Sequence, residues 1–251
     1  MIVVDLDGTL LRSDKTISDR SLNVLKRCQE LDVKVVYATA RGESADRVAP
    51  AEYFDARIAM GGATAKIGDE VVYSRRVLFQ DAKPILIACE KRGIAVTAES
   101  GSVYYTNKIV PDFDIDMSRV KFVDFEKHNI DSEKMYILQT TANEREFLRG
   151  LITDGLHMFV YREDGFVTIS HKEAMKSHAV QAVAEVWDIK SSEIVAFGDD
   201  LIDIPLLEYA GIGVAMGNAL DEVKAAADEV CLTNDEDGVA TWILNNLPGR
   251  K

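Results

Sequence analysis

The chain opens with an uninterrupted apolar run, Ile2-Val3-Val4, that meets acids and a glycine at Asp5, Asp7 and Gly8. A short apolar run bounded by turn residues predicts a buried strand, here Ile2–Leu6, feeding a turn. Ser18 is placed to cap a helix whose apolar positions Leu22, Leu25, Cys28 and Leu31 recur at helical spacing. Val33–Thr39, rich in β-branched residues, predicts a second buried strand, and Gly42 and Ser44 open a further helix. Arg57–Met60 reads as a third strand, after which Gly61-Gly62 leads into a hairpin turning at Gly68-Asp69. Strand–helix alternation of this kind marks a parallel sheet with helices on its faces.

Near residue 80 the rhythm changes. Asp81–Arg92 predicts a helix ended by Gly93. Ile94–Ala98 and Val103–Thr106 predict strands around Glu99-Ser100-Gly101. Lys134–Thr141 predicts a strand, Asn143–Ile152 a helix, and His157–Arg162 with Phe166–Ser170 a hairpin; between Asn107 and Asp131 no element is legible. This is an α+β pattern with antiparallel neighbours. From Lys172 the first rhythm returns: helices at Glu173–Trp187, Ile202–Tyr209, Ala219–Ala227 and Gly238–Leu247, and strands at Glu193–Phe197, Gly211–Met216 and Val230–Leu232. The pattern predicts an α/β fold, a doubly wound, Rossmann-like parallel sheet formed by residues 1–79 and 171–251. It is interrupted by an α+β domain over 80–170, roughly ninety residues and large enough for its own core.

Composition narrows the functional classes. Of 251 residues, 47% are hydrophobic and 28% charged, a normal balance for a soluble globular chain. Lysine and arginine total 29 against 42 acids, a net charge of -13, which repels nucleic-acid backbones and anionic membranes alike. An anionic substrate would be repelled too, so a phosphate site here needs local cations of its own. Cys28, Cys89 and Cys231 form no CxxC pair and read as free thiols of a reducing cytosol. The N-terminus carries no basic region ahead of its apolar run, and no apolar stretch approaches the roughly 20 residues of a bilayer span. The expectation is a cytoplasmic protein with neither nucleic-acid nor membrane partners.

Four segments carry candidate chemistry. In Asp5-Leu6-Asp7-Gly8-Thr9-Leu10-Leu11 two acids sit at a strand end, where open α/β sheets bind ligands. Positions two apart point the same way, so the carboxylates repel, which raises one pKa or recruits a cation. A carboxylate can attack phosphorus, and a second acid can protonate the leaving oxygen. Taken alone, the pair reads equally as an acidic turn. Thr39, in Tyr37-Ala38-Thr39-Ala40-Arg41, ends the second strand, where its hydroxyl and the following amides could hold phosphate oxygens. Arg41 by itself reads as a surface arginine. Lys176 follows the insert as a compact cation in an acidic chain. Gly198-Asp199-Asp200-Leu201-Ile202-Asp203 ends another strand. Asp5, the carbonyl of Asp7 and Asp199 would suit a hard cation such as Mg²⁺. Asn218 reads as a helix N-cap, and Asn234 and Asp235 likewise. The four histidines lack metal-ligand spacing, and no Walker A, GxGxxG or GxSxG pattern is present.

In this order the four segments resemble the haloacid dehalogenase superfamily of phosphohydrolases over the whole chain. The large insert, with Val214-Ala215-Met216-Gly217-Asn218-Ala219 and Asp235-Glu236-Asp237-Gly238-Val239-Ala240, resembles the type II (IIB) capped, Cof-like branch. The resemblance implies Asp5 as nucleophile and Asp7 as general acid/base, with Thr39 and Lys176 on the substrate phosphate. Asp5, Asp7 and Asp199 would hold Mg²⁺, and Asp203, Arg41, Gly62 and Asn218 would support the site. The implied activity is hydrolysis of a small phosphorylated metabolite, a sugar phosphate or similar monoester, through a phospho-aspartate. A phosphomutase of the same fold and a phospho-ligand sensor on a damaged site are the alternatives. Three positions depart from the family pattern: Ile202 where Asn is usual, Ala40 where Gly is usual, and Gly61 where Asn is usual.

Overall fold

The computed structural model of the protein describes residues 1–108, 116–161 and 165–246. Its strands and helices run β1 (Ile2–Val4), α1 (Asp19–Glu30), β2 (Val35–Ala38), β3 (Ala56–Ala59), β4 (Thr64–Ile67), β5 (Glu70–Ser74), α2 (Phe79–Lys91), β6 (Val96–Ser100), β7 (Val103–Thr106), β8 (Val120–Phe122), β9 (Lys134–Ile137), α3 (Ala142–Arg149), β10 (Leu156–Val160), β11 (Val167–His171), α4 (Lys176–Val186), β12 (Val195–Gly198), α5 (Ile204–Tyr209), β13 (Ile212–Ala215), α6 (Asp221–Ala226), β14 (Glu229–Val230) and α7 (Gly238–Asn246). They fall into two compact units, Met1–Ser74 with the chain from Met175 onward, and Arg75–Ala174.

The first unit holds an eight-stranded sheet in the order β14-β13-β12-β1-β2-β3-β4-β5. β1 runs parallel to β12 on one side and β2 on the other, so Val4 lies beside both Phe197 and Tyr37. β3, β13 and β14 extend the parallel set, and the predicted hairpin of β4 and β5 closes it antiparallel. The central strands read as unbroken apolar runs because helices cover both faces. Val3, Val4, Val35, Val36 and Phe197 share one core with Val24, Leu25 and Cys28 of α1, Val180 and Val183 of α4, and Leu206 and Leu207 of α5. Strand order reverses at β1. The carboxyl ends of β1, β2 and β12 therefore meet where an open α/β sheet takes its ligand.

The second unit has a six-stranded sheet in the order β10-β11-β9-β6-β7-β8, antiparallel except between β7 and β8. Alternate residues Val96, Ala98, Met135, Ile137, Val167 and Ile169 pack with Ala82, Ile85, Leu86 and Cys89 of α2 and Leu148 of α3, the two-residue period of a sheet with one helix-covered face. Among the described residues no helix is long and apolar enough to cross a membrane.

Several local expectations shift. The helix expected from Gly42 is a 3₁₀ turn, Glu43–Arg47, because Pro50 disfavours helical geometry at Ala49 and leaves too little chain. The stretch with no legible element contains β8. The helix expected from Glu173 starts at Lys176, since β11 runs on to His171. Ile202 lies in a 3₁₀ turn, Leu201–Asp203, ahead of α5. Leu31 is 46% exposed rather than part of the α1 core face. The expected ends Arg162 and Leu247 lie outside the described residues.

Two adjacent glycines after β3 differ sharply in what they tolerate. Gly62 has φ +99, and a Cβ there would lie 2.2 Å from the Met175 carbonyl carbon at the start of α4. Gly61 has φ +70 with nothing within 4 Å of such a Cβ, and asparagine tolerates that backbone region. In urea unfolding, Gly62→Ala should lose about 3 kcal/mol through strain and overlap, while Gly61→Asn should stay within about 1 kcal/mol of wild type. Equal losses would contradict this reading of the turn.

Candidate active site

Asp5, Lys176, Asp199 and Asp203 converge from three segments of the first unit, the last two from the turn after β12. Backbone pairing carries past β1, with the Asp5 amide donating to the Phe197 carbonyl, so the Asp5 side chain leaves from the sheet edge. Lys176 opens α4, where the helix N-terminus adds partial positive charge. Its ammonium donates to Asp5 Oδ1 and Asp203 Oδ1, each at 2.6 Å. All three residues are almost wholly buried, Lys176 at 3% exposure, Asp5 at 5% and Asp203 at 1%. Asp203 Oδ2 accepts from the amides of Asp199 and Asp200, tying the 3₁₀ turn to the end of β12. Asp199 Oδ1 accepts from the Thr9 hydroxyl at 2.8 Å. Glycine is required on both sides of this acid. A Cβ on Gly8 would lie 2.2 Å from Asp199 Oδ2, and one on Gly198 would lie 2.5 Å from the Asp203 Cβ.

Carboxylate oxygens of Asp5, Asp199 and Asp203 lie within 4.8 Å of one another, a grouping able to hold a metal ion. Against these three acids stands one buried ammonium, so full ionisation leaves two negative charges in excess, which a divalent cation would balance. Among the described residues neither Asp5 Oδ2 nor Asp199 Oδ2 accepts a hydrogen bond, whereas both oxygens of Asp203 are engaged. Asp5 and Asp199 are therefore the better placed donors, and an all-oxygen set suits a hard cation. Burial pushes Asp5 above the usual carboxylate range. Lys176 opposes that shift, and Asp203 and Asp199 add to it. Burial, then Asp203, raises Asp199 to about 7. Burial would lower Lys176, but Asp203 and Asp5 outweigh it and hold the ammonium charged.

Asp7 has different surroundings. Arg41 grips its carboxylate through Nε at 2.5 Å and Nη2 at 2.7 Å, and Lys15 Nζ adds a contact at 2.9 Å. Burial acts upward on Asp7, but hydrogen bonds from Arg41 and Lys15 prevail and lower it to about 2. The mutual repulsion expected of Asp5 and Asp7 is thus replaced: Asp5 is raised by Asp203 and Asp199, and Asp7 answers to two cations. Thr39 directly follows β2 and is buried, and its hydroxyl oxygen accepts from the Arg41 backbone amide, leaving the hydroxyl proton to donate.

Of the supporting residues, Arg41 is on Asp7, Asp203 on Lys176, and Gly62 packs the turn after β3 onto the start of α4. Asn218 caps no helix; α6 starts at Asp221 with Leu220 before it, and the Asn218 amide donates to the Gly8 carbonyl. Ala40 is half-buried, and Gly61 is in the turn ahead of β4. Ile202 is half-buried between Leu201 and Ile204, which pack on the core, and is not itself among the core-packed side chains. Sequence reasoning passed over Thr9 and Lys15. Thr9 could have been flagged by its place in the turn directly after the paired acids. Nothing local marks Lys15.

A family model for haloacid dehalogenase-like hydrolases matches residues 2–243. Among curated proteins the chain is 27% identical to the Bacillus subtilis phosphatase YwpJ, over 98% of this chain and 99% of that one. It is 25% identical to the B. subtilis 5-amino-6-(5-phospho-D-ribitylamino)uracil phosphatase YitU, over 97% and 96%. Among solved structures it is similar to BT1666 from Bacteroides thetaiotaomicron, a phosphatase of the superfamily, with TM-score 0.84 and 27% identity over 97% and 93% of the two chains. It is also similar to the subclass IIB sugar phosphatase BT4131, with TM-score 0.82 and 26% identity over 97% of each. The chain belongs to the haloacid dehalogenase-like hydrolase family. It is an enzyme with the fold of that family's phosphatases, in the Cof-like, IIB branch.

The clustered acids make stability depend on pH and on cations. Asp199 is raised from its ordinary 3.8 to about 7, and Asp5 moves the same way. Their contribution is fully present below the ordinary value and is lost as pH rises through the raised one. In chelator, Tm should fall between about pH 5 and pH 8.5. An added divalent cation should restore it, with the larger gain at the alkaline end, where the ligands are deprotonated. A cation response equal at both ends of this range would contradict the assignment of the acids.

Proposed function

We propose that the protein is a Mg²⁺-dependent phosphatase that hydrolyses a small phosphorylated metabolite, a sugar phosphate or similar monoester, through a phospho-aspartate on Asp5. The observation that carries this reading is the set of buried Asp5, Lys176 and Asp203 with half-buried Asp199 at the sheet edge where strand order reverses. In this reading an Asp5 oxygen attacks phosphorus as the bond to the leaving oxygen breaks, and Asp7 gives that oxygen a proton. Asp7 then takes a proton from the water that attacks the acyl phosphate, which releases phosphate and restores the Asp5 carboxylate. Lys176 and the Thr39 hydroxyl hold phosphoryl oxygens, and Asp203 fixes the ammonium. Asp5, the Asp7 carbonyl and Asp199 hold Mg²⁺, which when bound neutralises phosphoryl oxygens and the acid cluster. The inserted unit, Arg75–Ala174, serves as the cap that selects the leaving group.

The acid role of Asp7 requires that Arg41 and Lys15 first let go of it, because a carboxyl held near 2 has no proton to give at neutral pH. An arriving phosphate is itself a ligand for Arg41 and competes for the guanidinium.

The test is a panel of phosphorylated metabolites assayed for phosphate release with Mg²⁺ and with excess chelator. Wild type should turn over at least one sugar phosphate with Mg²⁺ and none in chelator. Asp5→Asn should retain less than about one thousandth of the rate with its circular dichroism unchanged, since an amide forms no acyl phosphate. Full activity in chelator, or in Asp5→Asn, would remove the proposal.

A further inference from the structure

The segments Gly217-Asn218-Ala219 and Asn234–Gly238 are far from Asp5 in sequence and supply no group to the proposed chemistry. We infer that they clamp the loop that follows β1, and that Asn218 is a positioning residue for phosphoryl transfer, acting through the Gly8 carbonyl. The inference rests on the assignment of that transfer to Asp5 and Asp199.

Four side chains from the last part of the chain hold this one loop. Asn218 Nδ2 donates to the Gly8 carbonyl at 2.7 Å, and Asn218 Oδ1 accepts from the Asn234 amide at 2.9 Å. Asn234 Nδ2 donates to the Leu11 carbonyl at 2.9 Å in a buried bond. Arg12 reaches Asp237 through Nε at 3.1 Å and through Nη2 at 2.9 and 2.8 Å, a bidentate ion pair. The Ser13 amide and hydroxyl donate to the two oxygens of Asp235 at 2.9 and 2.7 Å. Gly8, Leu11, Arg12 and Ser13 are thus each pinned from a segment more than 200 positions away.

The pinned loop touches the site at two points. Thr9 donates to Asp199, and the Gly8 backbone lies so close to the same carboxylate that no Cβ fits between them. A shift of Gly8 therefore moves Asp199 relative to Asp5. Asp5 itself is held by strand pairing and by Lys176, so it does not follow. Phosphoryl transfer tolerates such a change poorly: a misplacement of about 1 Å costs on the order of a hundredfold in rate. The ordinary use of an asparagine here, capping a helix, is absent because α6 starts at Asp221. Asn218 is also exposed, so packing does not account for its two backbone-directed bonds.

The experiment compares wild type with Asn218→Ala, Asn218→Asp and Asn218→Gln. Asp keeps the acceptor for Asn234 but loses the donor to Gly8, whereas Gln keeps the amide on a longer arm. In Ala and Asp, kcat should fall roughly thirtyfold with KM within about twofold, and Gln should recover part of the loss. Tm should move by less than about 3 °C, because the side chain is exposed. Hydrogen exchange at residues 8–13 should quicken in Asn218→Ala while the rest of the first unit keeps wild-type protection. Unchanged kcat overturns the inference, as does a loss carried by KM or a loss that follows global unfolding. If wild type cleaves no phosphomonoester, the functional reading fails by itself. The exchange at residues 8–13 then decides the clamp, faster exchange upholding it and unchanged exchange overturning it.

Discussion

The Lys176 ammonium is buried between the carboxylates of Asp5 and Asp203, 2.6 Å from each, and the geometry of the first unit follows from keeping it there. Withdrawing an ion from water costs several kcal/mol even after relaxation, and good pairing is what offsets that cost. Removing one partner from such a buried pair typically costs about 3–5 kcal/mol, because the remaining charge is stranded. The pairing needs β1, the start of α4 and the turn after β12 in register, which parallel pairing of β1 with β12 and the fit of Gly62 against Met175 provide. Asp5 and Asp203 already outnumber the lysine by one charge, and Asp199 adds a second. The fold keeps an excess of negative charge at one point of an already acidic protein, at a cost to its own stability, and that excess is what suits the point to a hard cation.

The two acids that follow β1 are pushed in opposite directions. Asp5, sealed among carboxylates, holds its proton to higher pH than usual, while Asp7, beside Arg41 and Lys15, gives its proton up at about 2. Separation of two carboxyls by their environments is how one site assigns different roles to the same chemical group. Here the order is the reverse of what the proposed nucleophile, Asp5, and the proposed acid, Asp7, need during turnover. A bound cation favours the ionised form of Asp5, and a bound anion that draws Arg41 away favours the protonated form of Asp7. Each ligand thus moves one acid toward its role, so the proposed chemistry needs both present.

The strands were legible because a parallel sheet covered on both faces demands unbroken apolar runs, as in Ile2–Val4 and Val35–Ala38, and the polar residues that follow them, Asp5 and Thr39, lie at the sheet edge. Asp5 and Lys176 could be paired from sequence only through the family likeness, since 171 positions separate them and no local spacing reports a contact made through tertiary structure. The same limit hid the Asp7–Arg41–Lys15 group and the bond from Thr9 to Asp199. Asn218 was misread because an asparagine between a strand and a helix has a common local use; its actual partners, Gly8 and Asn234, lie in other segments. The helix expected after Gly42 failed for a local reason, the proline at position 50.

The central claim is that Asp5 carries the phosphoryl group during turnover. The direct measurement is rapid acid quench during steady-state hydrolysis of the best substrate with Mg²⁺, followed by mass mapping of the peptides. The account predicts a phosphoryl group on the peptide that contains Asp5, absent from enzyme quenched without substrate. Continued turnover with that peptide unmodified, or with the phosphoryl group on a different residue, would contradict it.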